Sequence, residues 1–137
     1  MSFFKRQDIG RVYVIKMTLP GDLYVYKIGM CNTARSTDRM MEILRSWFTK
    51  FRFIPHSELK LDMETGRPLE IEAHIHRALY HKRYTPSEKV SGGTEMFTDI
   101  NEFRVIQYLN HCNDTVLDQP LGLNDKDYKH LGQLLSP

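Results

Sequence analysis

The sequence predicts a mixed α+β domain: a small three-stranded antiparallel sheet flanked by helices, followed by a C-terminal helical tail. Two β-branched, aromatic runs flank a Pro-Gly turn, and segments of helical periodicity follow them. No internal repeat or low-complexity tract interrupts that order. With 137 residues, 41% of them hydrophobic and 11% aromatic, the chain can bury one core and has no room for a second of similar size.

The runs RVYVIKM (11–17) and LYVYKIG (23–29), joined through LPGD, predict a β-hairpin. From Thr37 to Lys50, the residues Met40, Ile43, Leu44, Trp47 and Phe48 recur at helical spacing, with Ser36 or Thr37 available as N-cap, so a first helix is expected. A third strand is expected around 51–59, with Pro55 marking an edge or bulge, and a polar loop over 60–67. Pro68 suits the first position of a second helix running to about Lys82. After a loop rich in Pro, Ser and Gly, EMFTD reads as a brief strand, and Asp99 with Glu102 as the capping box of a third helix. The expected division is a domain over 1–112 and an acidic tail over 113–137, with a short helix capped by Asn124.

Net charge is +2, but unevenly spread: residues 1–98 carry 16 Lys and Arg against 11 Asp and Glu, and residues 99–137 carry 3 against 6. Such a mildly basic body admits a polyanion without announcing one. No apolar run approaches the roughly 20 residues of a membrane span, and the N-terminus lacks the pattern of a signal peptide. The expectation is a protein without a membrane partner, in the cytoplasm. Cys31 and Cys112 are too few for a disulfide framework or a paired zinc knuckle, which fits a reducing compartment.

The second helix carries the polar groups that need explaining. Helical periodicity puts Glu70, His74, Arg77 and His81 on one arc, the expected solvent face, and Glu72 and His76 on the opposite side among Leu69, Ala73, Ile75, Leu79 and Tyr80. A carboxylate there is desolvated and requires a cation: a neighbouring arginine in the plain reading, a metal in the functional one.

The hairpin shifts that balance. Gly10-Arg11-Val12-Tyr13 and Tyr26-Lys27-Ile28-Gly29, then Arg39-Met40-Met41, then Glu72 four residues before His76, then Glu95-Met96-Phe97, together resemble the ordered motifs of the GIY-YIG nuclease superfamily, in its compact branch whose second motif reads YKIG. The resemblance covers about residues 10–98. It departs from the usual pattern at Arg11-Val12, where Gly-Ile is common, and at Lys27, where a tyrosine is common.

The resemblance implies a metal-dependent DNA endonuclease, nicking or site-preferring, of phage or mobile-element type. It implies Tyr13 as general base or its relay, Lys27 and Arg39 as cations facing the scissile phosphate, and Glu72 as ligand of Mg²⁺ or Mn²⁺. A single carboxylate with water and phosphate oxygens suits those ions better than zinc. His76 is expected to support Glu72 from the next turn, and Tyr26 to serve in the core. Arg35, Lys82, Arg83 and Glu95 are candidate substrate contacts. The alternatives are a nuclease fold retained as a catalytically inactive nucleic-acid- or protein-binding module, and an RNA nuclease. The acidic tail offers a surface for a homodimer or a protein partner.

Overall fold

The structure, a computed structural model, describes residues 9–32, 35–91, 93–115 and 119–137. It is α+β, with a sheet of five strands where three were expected. Strands β1 (Gly10–Leu19) and β2 (Leu23–Asn32) form the hairpin, and Gly21 and Asp22 carry its turn with positive φ of 82° and 57°. Helix α1 (Ser36–Phe51) leads to β3 (His56–Thr65), helix α2 (Pro68–Ala78), a 3-10 turn (Tyr80–Lys82), β4 (Arg83–Tyr84), a second 3-10 turn (Gly93–Glu95), β5 (Met96–Thr98), and helices α3 (Glu102–Asp114) and α4 (Asp125–Leu134). All pairings are antiparallel, in the order β3-β1-β2-β5-β4.

The third strand begins after Pro55 and takes up most of the expected polar loop, because β1 offers it a full ladder of partners from Thr18 opposite His56 to Gly10 opposite Thr65. A bulge opposite Val14 and Ile15 skips Lys60. That one-residue shift lets Leu59 and Leu61, two positions apart, face opposite sides of the sheet. Strands β4 and β5 have two and three residues, too short to show any periodicity.

Each sheet face has its own core. On one, Val12, Val14, Tyr26 and Ile28 meet Ile71 and Ile75 of α2, Val105 and Leu109 of α3, and Tyr128 and Leu131 of α4. On the other, Tyr13, Ile15, Met17 and Val25 meet Ile43 and Trp47 of α1. The ring centroid of Phe51 lies 4.7 Å from that of Trp47, closing this smaller core. Tyr26 anchors α3 by donating its hydroxyl to Glu102 at 3.0 Å.

Four local expectations are corrected. Helix α1 starts at Ser36, and its N-cap residue, Arg35, makes no side-chain cap. Helix α2 ends at Ala78 and tightens into the 3-10 turn before Lys82. Helix α3 is capped by Asn101, whose side chain accepts from the Arg104 N–H, while Asp99 turns the chain with φ of 57°. On the expected solvent face of α2, Glu70, Arg77 and His81 are exposed, but His74 is covered by α3 and α4. His74 is buried, its Nδ1 2.9 Å from the Tyr128 hydroxyl and its Nε2 2.6 Å from that of Tyr108. Conversely, Leu69, Ala73 and Tyr80 are exposed.

His74 thus ties both C-terminal helices to α2. Replacing it with leucine should cost about 1–3 kcal/mol, as the tyrosine hydroxyls lose their partner, read as a lower urea midpoint at pH 7. Burial also holds the His74 pKa below the ordinary 6.5. The folded state therefore binds fewer protons than the unfolded one, and this contribution is lost as pH falls below 6.5. The decline in stability below that pH should be shallower in His74→Leu, with the remainder coming from His76, whose pKa burial also lowers.

Candidate active site

Strand β5 pairs with only Val25, Tyr26 and Lys27 of β2, so the same edge of β2 runs on unpaired beyond Lys27. A bare edge inside a domain leaves backbone groups in need of partners. Helix α2 supplies them with side chains. His76 Nε2 lies 2.6 Å from the Ile28 carbonyl, which accepts its proton, and the Glu72 carboxylate accepts from the Met30 N–H. Four residues along a helix rise about 6 Å, and two along a strand about 6.6 Å, so the glutamate-to-histidine spacing matches this edge.

His76 therefore supports the strand and not Glu72 directly. Its bond as donor makes it the neutral tautomer protonated at Nε2, consistent with a pKa lowered by burial.

Around this edge the residues expected to act together converge. Tyr13 stands opposite Gly29 in the hairpin register, and a side chain at Gly29 would meet both candidate groups: a Cβ there would lie 2.6 Å from the Tyr13 hydroxyl and 3.2 Å from Lys27 Nζ. Glycine at this position lets a phenol and an ammonium share one space above the backbone. Arg39, reaching in from α1, donates a hydrogen bond to Tyr13 and pairs with Glu42. Glu72 completes the group from α2, close enough for its charge to act on both Lys27 and Tyr13.

Burial sets the electrostatics. Lys27 is fully buried, pairs with Glu95, and has no other hydrogen-bond partner among the described residues. Desolvation pushes its pKa down to about 8, with the negative charge of Glu72 opposing. Burial raises the Tyr13 phenol above its ordinary range, against the stabilising pull of Arg39. Burial likewise raises Glu72, outweighing the attraction of Lys27.

The other expected contacts divide. Glu95 joins the site through Lys27. Arg35 is drawn to Glu42, 2.7 Å away, one step behind Arg39. Lys82 pairs with Asp99 at 2.7 Å, away from the site, while the Arg83 guanidinium lies 5.4 Å over the ring of Tyr80. Two participants were missed. Glu42 steadies Arg39 and Arg35, and its i,i+3 spacing from Arg39 was the available signal. Gly29 was visible as part of a motif, but its role as the shared floor requires the register.

Among the described residues no group of three or more His, Cys, Asp or Glu is arranged to hold a metal ion. Glu72 is the carboxylate that fits one. It is half-buried, one backbone N–H is its hydrogen-bond donor, and it forms no direct ion pair with a described residue, so lone pairs remain for a hard cation whose other ligands are water or substrate oxygens. No helix of the structure is long and apolar enough to cross a membrane, among the described residues. Comparison with known proteins found no matching family model, no matching curated protein and no matching solved structure.

A carboxyl pKa raised on folding means the folded protein holds its proton more tightly than the unfolded chain above the ordinary 4.5. Stability contributed by this group is then lost as pH rises through the folded value, and at pH 7 the Glu72 carboxylate is a net cost. Glu72→Gln should melt at a higher temperature than wild type at pH 7, with the two converging below pH 4.5. A lower melting temperature for the variant at pH 7 would show the carboxylate to be a structural asset.

Proposed function

We propose that this protein is a metal-dependent DNA endonuclease of the GIY-YIG type. The observation that carries the reading is the convergence of the Tyr13 hydroxyl, the Lys27 ammonium, the Arg39 guanidinium and the Glu72 carboxylate near Gly29, from four different elements. Phosphodiester hydrolysis needs a proton acceptor for the attacking water, positive charge for the non-bridging oxygens, and stabilisation of the leaving oxygen. Tyr13 would supply the first, Lys27 and Arg39 the second, and Glu72 would hold the ion for the third.

Tyr13 takes the proton of the attacking water. Its phenol is a weak base while buried in the free protein, so the hydrogen bond and charge of Arg39 serve to favour its ionised form. Lys27, with donors to spare and its charge made costly by burial, is stabilised as an ammonium when a phosphate enters beside it. Arg39 is held by Glu42 at a fixed reach, which orients its fork toward the same phosphate. Mg²⁺ or Mn²⁺ bound by Glu72 would polarise the phosphate and neutralise the departing oxygen. His76 keeps the β2 edge in place, and so holds the backbone that carries Lys27 and Gly29.

One such centre favours cutting one strand at a time, as expected of a compact nuclease from a phage or mobile element. The competing reading, a binding module without catalysis, would use Glu72 only to close the strand edge.

Supercoiled plasmid with Mg²⁺ separates the two. Wild type should give nicked or linear product and Glu72→Ala none, and Tyr13→Phe should lose roughly 100-fold or more in rate. Equal cleavage by wild type and Glu72→Ala would remove Glu72 from the mechanism. The pH profile provides a further check: kcat/KM should climb with pH as the Tyr13 phenolate fraction grows and stop climbing above about 8, where the free protein loses the Lys27 ammonium. A profile that keeps rising through pH 9 would contradict that role.

A further inference from the structure

An open groove of about 910 Å³ leads away from the candidate site, at the upper end of the roughly 300–1,000 Å³ of ligand sites. Its inner end is formed by His76 and Glu95, the latter also the partner of Lys27. Its floor includes Ala78 and Phe97, both about 1% exposed, and its outer wall is α4. Helix α4 runs close beside the end of α2 because it has a glycine at the contact: a Cβ at Gly132 would come within 2.6 Å of the Ala78 carbonyl. None of this follows from the catalytic residues, and the C-terminal wall lies outside the stretch that carries the sequence motifs.

On the rim, two guanidiniums lie over phenol rings, that of the buried Tyr128 and that of the exposed Tyr80. Arg77 lies 4.9 Å over the ring of Tyr128 and pairs with Asp125, while Arg83 lies 5.4 Å over Tyr80, a ring that is 67% exposed. Lys129 adds another cation. An apolar floor with aromatic and guanidinium planes above it suits flat, unpaired bases, and the cations suit the phosphates that link them. A duplex fits poorly, since it turns its phosphates outward and would set them against that floor.

We infer that this groove binds a single-stranded segment of DNA next to the phosphate being cut, so that the preferred substrates carry an unpaired stretch such as a flap, overhang or loop. The inference rests on the nuclease reading for the word "substrate", but the binding itself does not depend on catalysis.

Fluorescence anisotropy in EDTA, where no cleavage occurs, tests it with a labelled oligothymidylate and a blunt duplex of equal length. Wild type should bind the single strand at least tenfold more tightly than the duplex. Tyr80→Ala combined with Lys129→Glu, both at exposed positions, should raise the single-strand Kd at least tenfold with an unchanged melting temperature. Equal affinity for the two DNAs, no single-strand binding, or a double variant that binds normally would overturn the groove assignment and leave the nuclease reading standing on its plasmid assay. Tight groove binding by a protein that never cleaves would do the reverse.

Discussion

The structure depends on how β2 is closed beyond Lys27. A two-stranded hairpin with one partner on each side would need β5 to run on past Met96, and β5 comes no further: its pairing with β2 covers three residues. Side chains of α2 take over the missing ladder, one as acceptor from Met30 and one as donor to Ile28. That arrangement brings a carboxylate from the α2 face of the sheet to the edge, where it comes under the influence of Lys27 on the opposite face. With a longer β5 the edge would be shut by backbone, and Glu72 would have no opening through which to act.

The same closure explains why charged groups are tolerated here. Burying an ammonium and a carboxylate costs free energy unless each finds a partner, and both are displaced from their ordinary pKa in the direction of the neutral form. Glu95 beside Lys27 and the mutual attraction of Lys27 and Glu72 limit that cost without removing it, while the charge of Arg39 adds to it for Lys27. A divalent cation at Glu72 and an anion at Lys27 and Arg39, as proposed, would relieve it. His74 shows the contrast: also polar and buried, it is fully satisfied by Tyr108 and Tyr128 and serves to hold the helices together.

Much of this was legible in the sequence wherever one residue's neighbours lie close along the chain. The hairpin, α1, the start of α2 at Pro68 and the Asn124 cap all follow from local rules. Long-range covering was not legible. His74 reads as solvent-facing until α3 and α4 are laid over it, and KLDMET (60–65) reads as a polar loop, although it continues the strand, because a bulge at Lys60 breaks the alternation. Asp99 and Asn101 are both plausible caps by type, and only backbone geometry selects Asn101. Tyr13, Lys27, Arg39 and Glu72 could be singled out as residues, whereas Gly29 as the floor they share, and the groove walled by α4, exist only in the folded chain.

The most direct test is crystallographic. In crystals soaked in Mn²⁺, the anomalous difference map should show one peak about 2.1–2.2 Å from a Glu72 carboxylate oxygen, on the side facing Tyr13 and Lys27. An ion bound elsewhere, or none at Glu72 under conditions where the protein cuts DNA, would contradict the account.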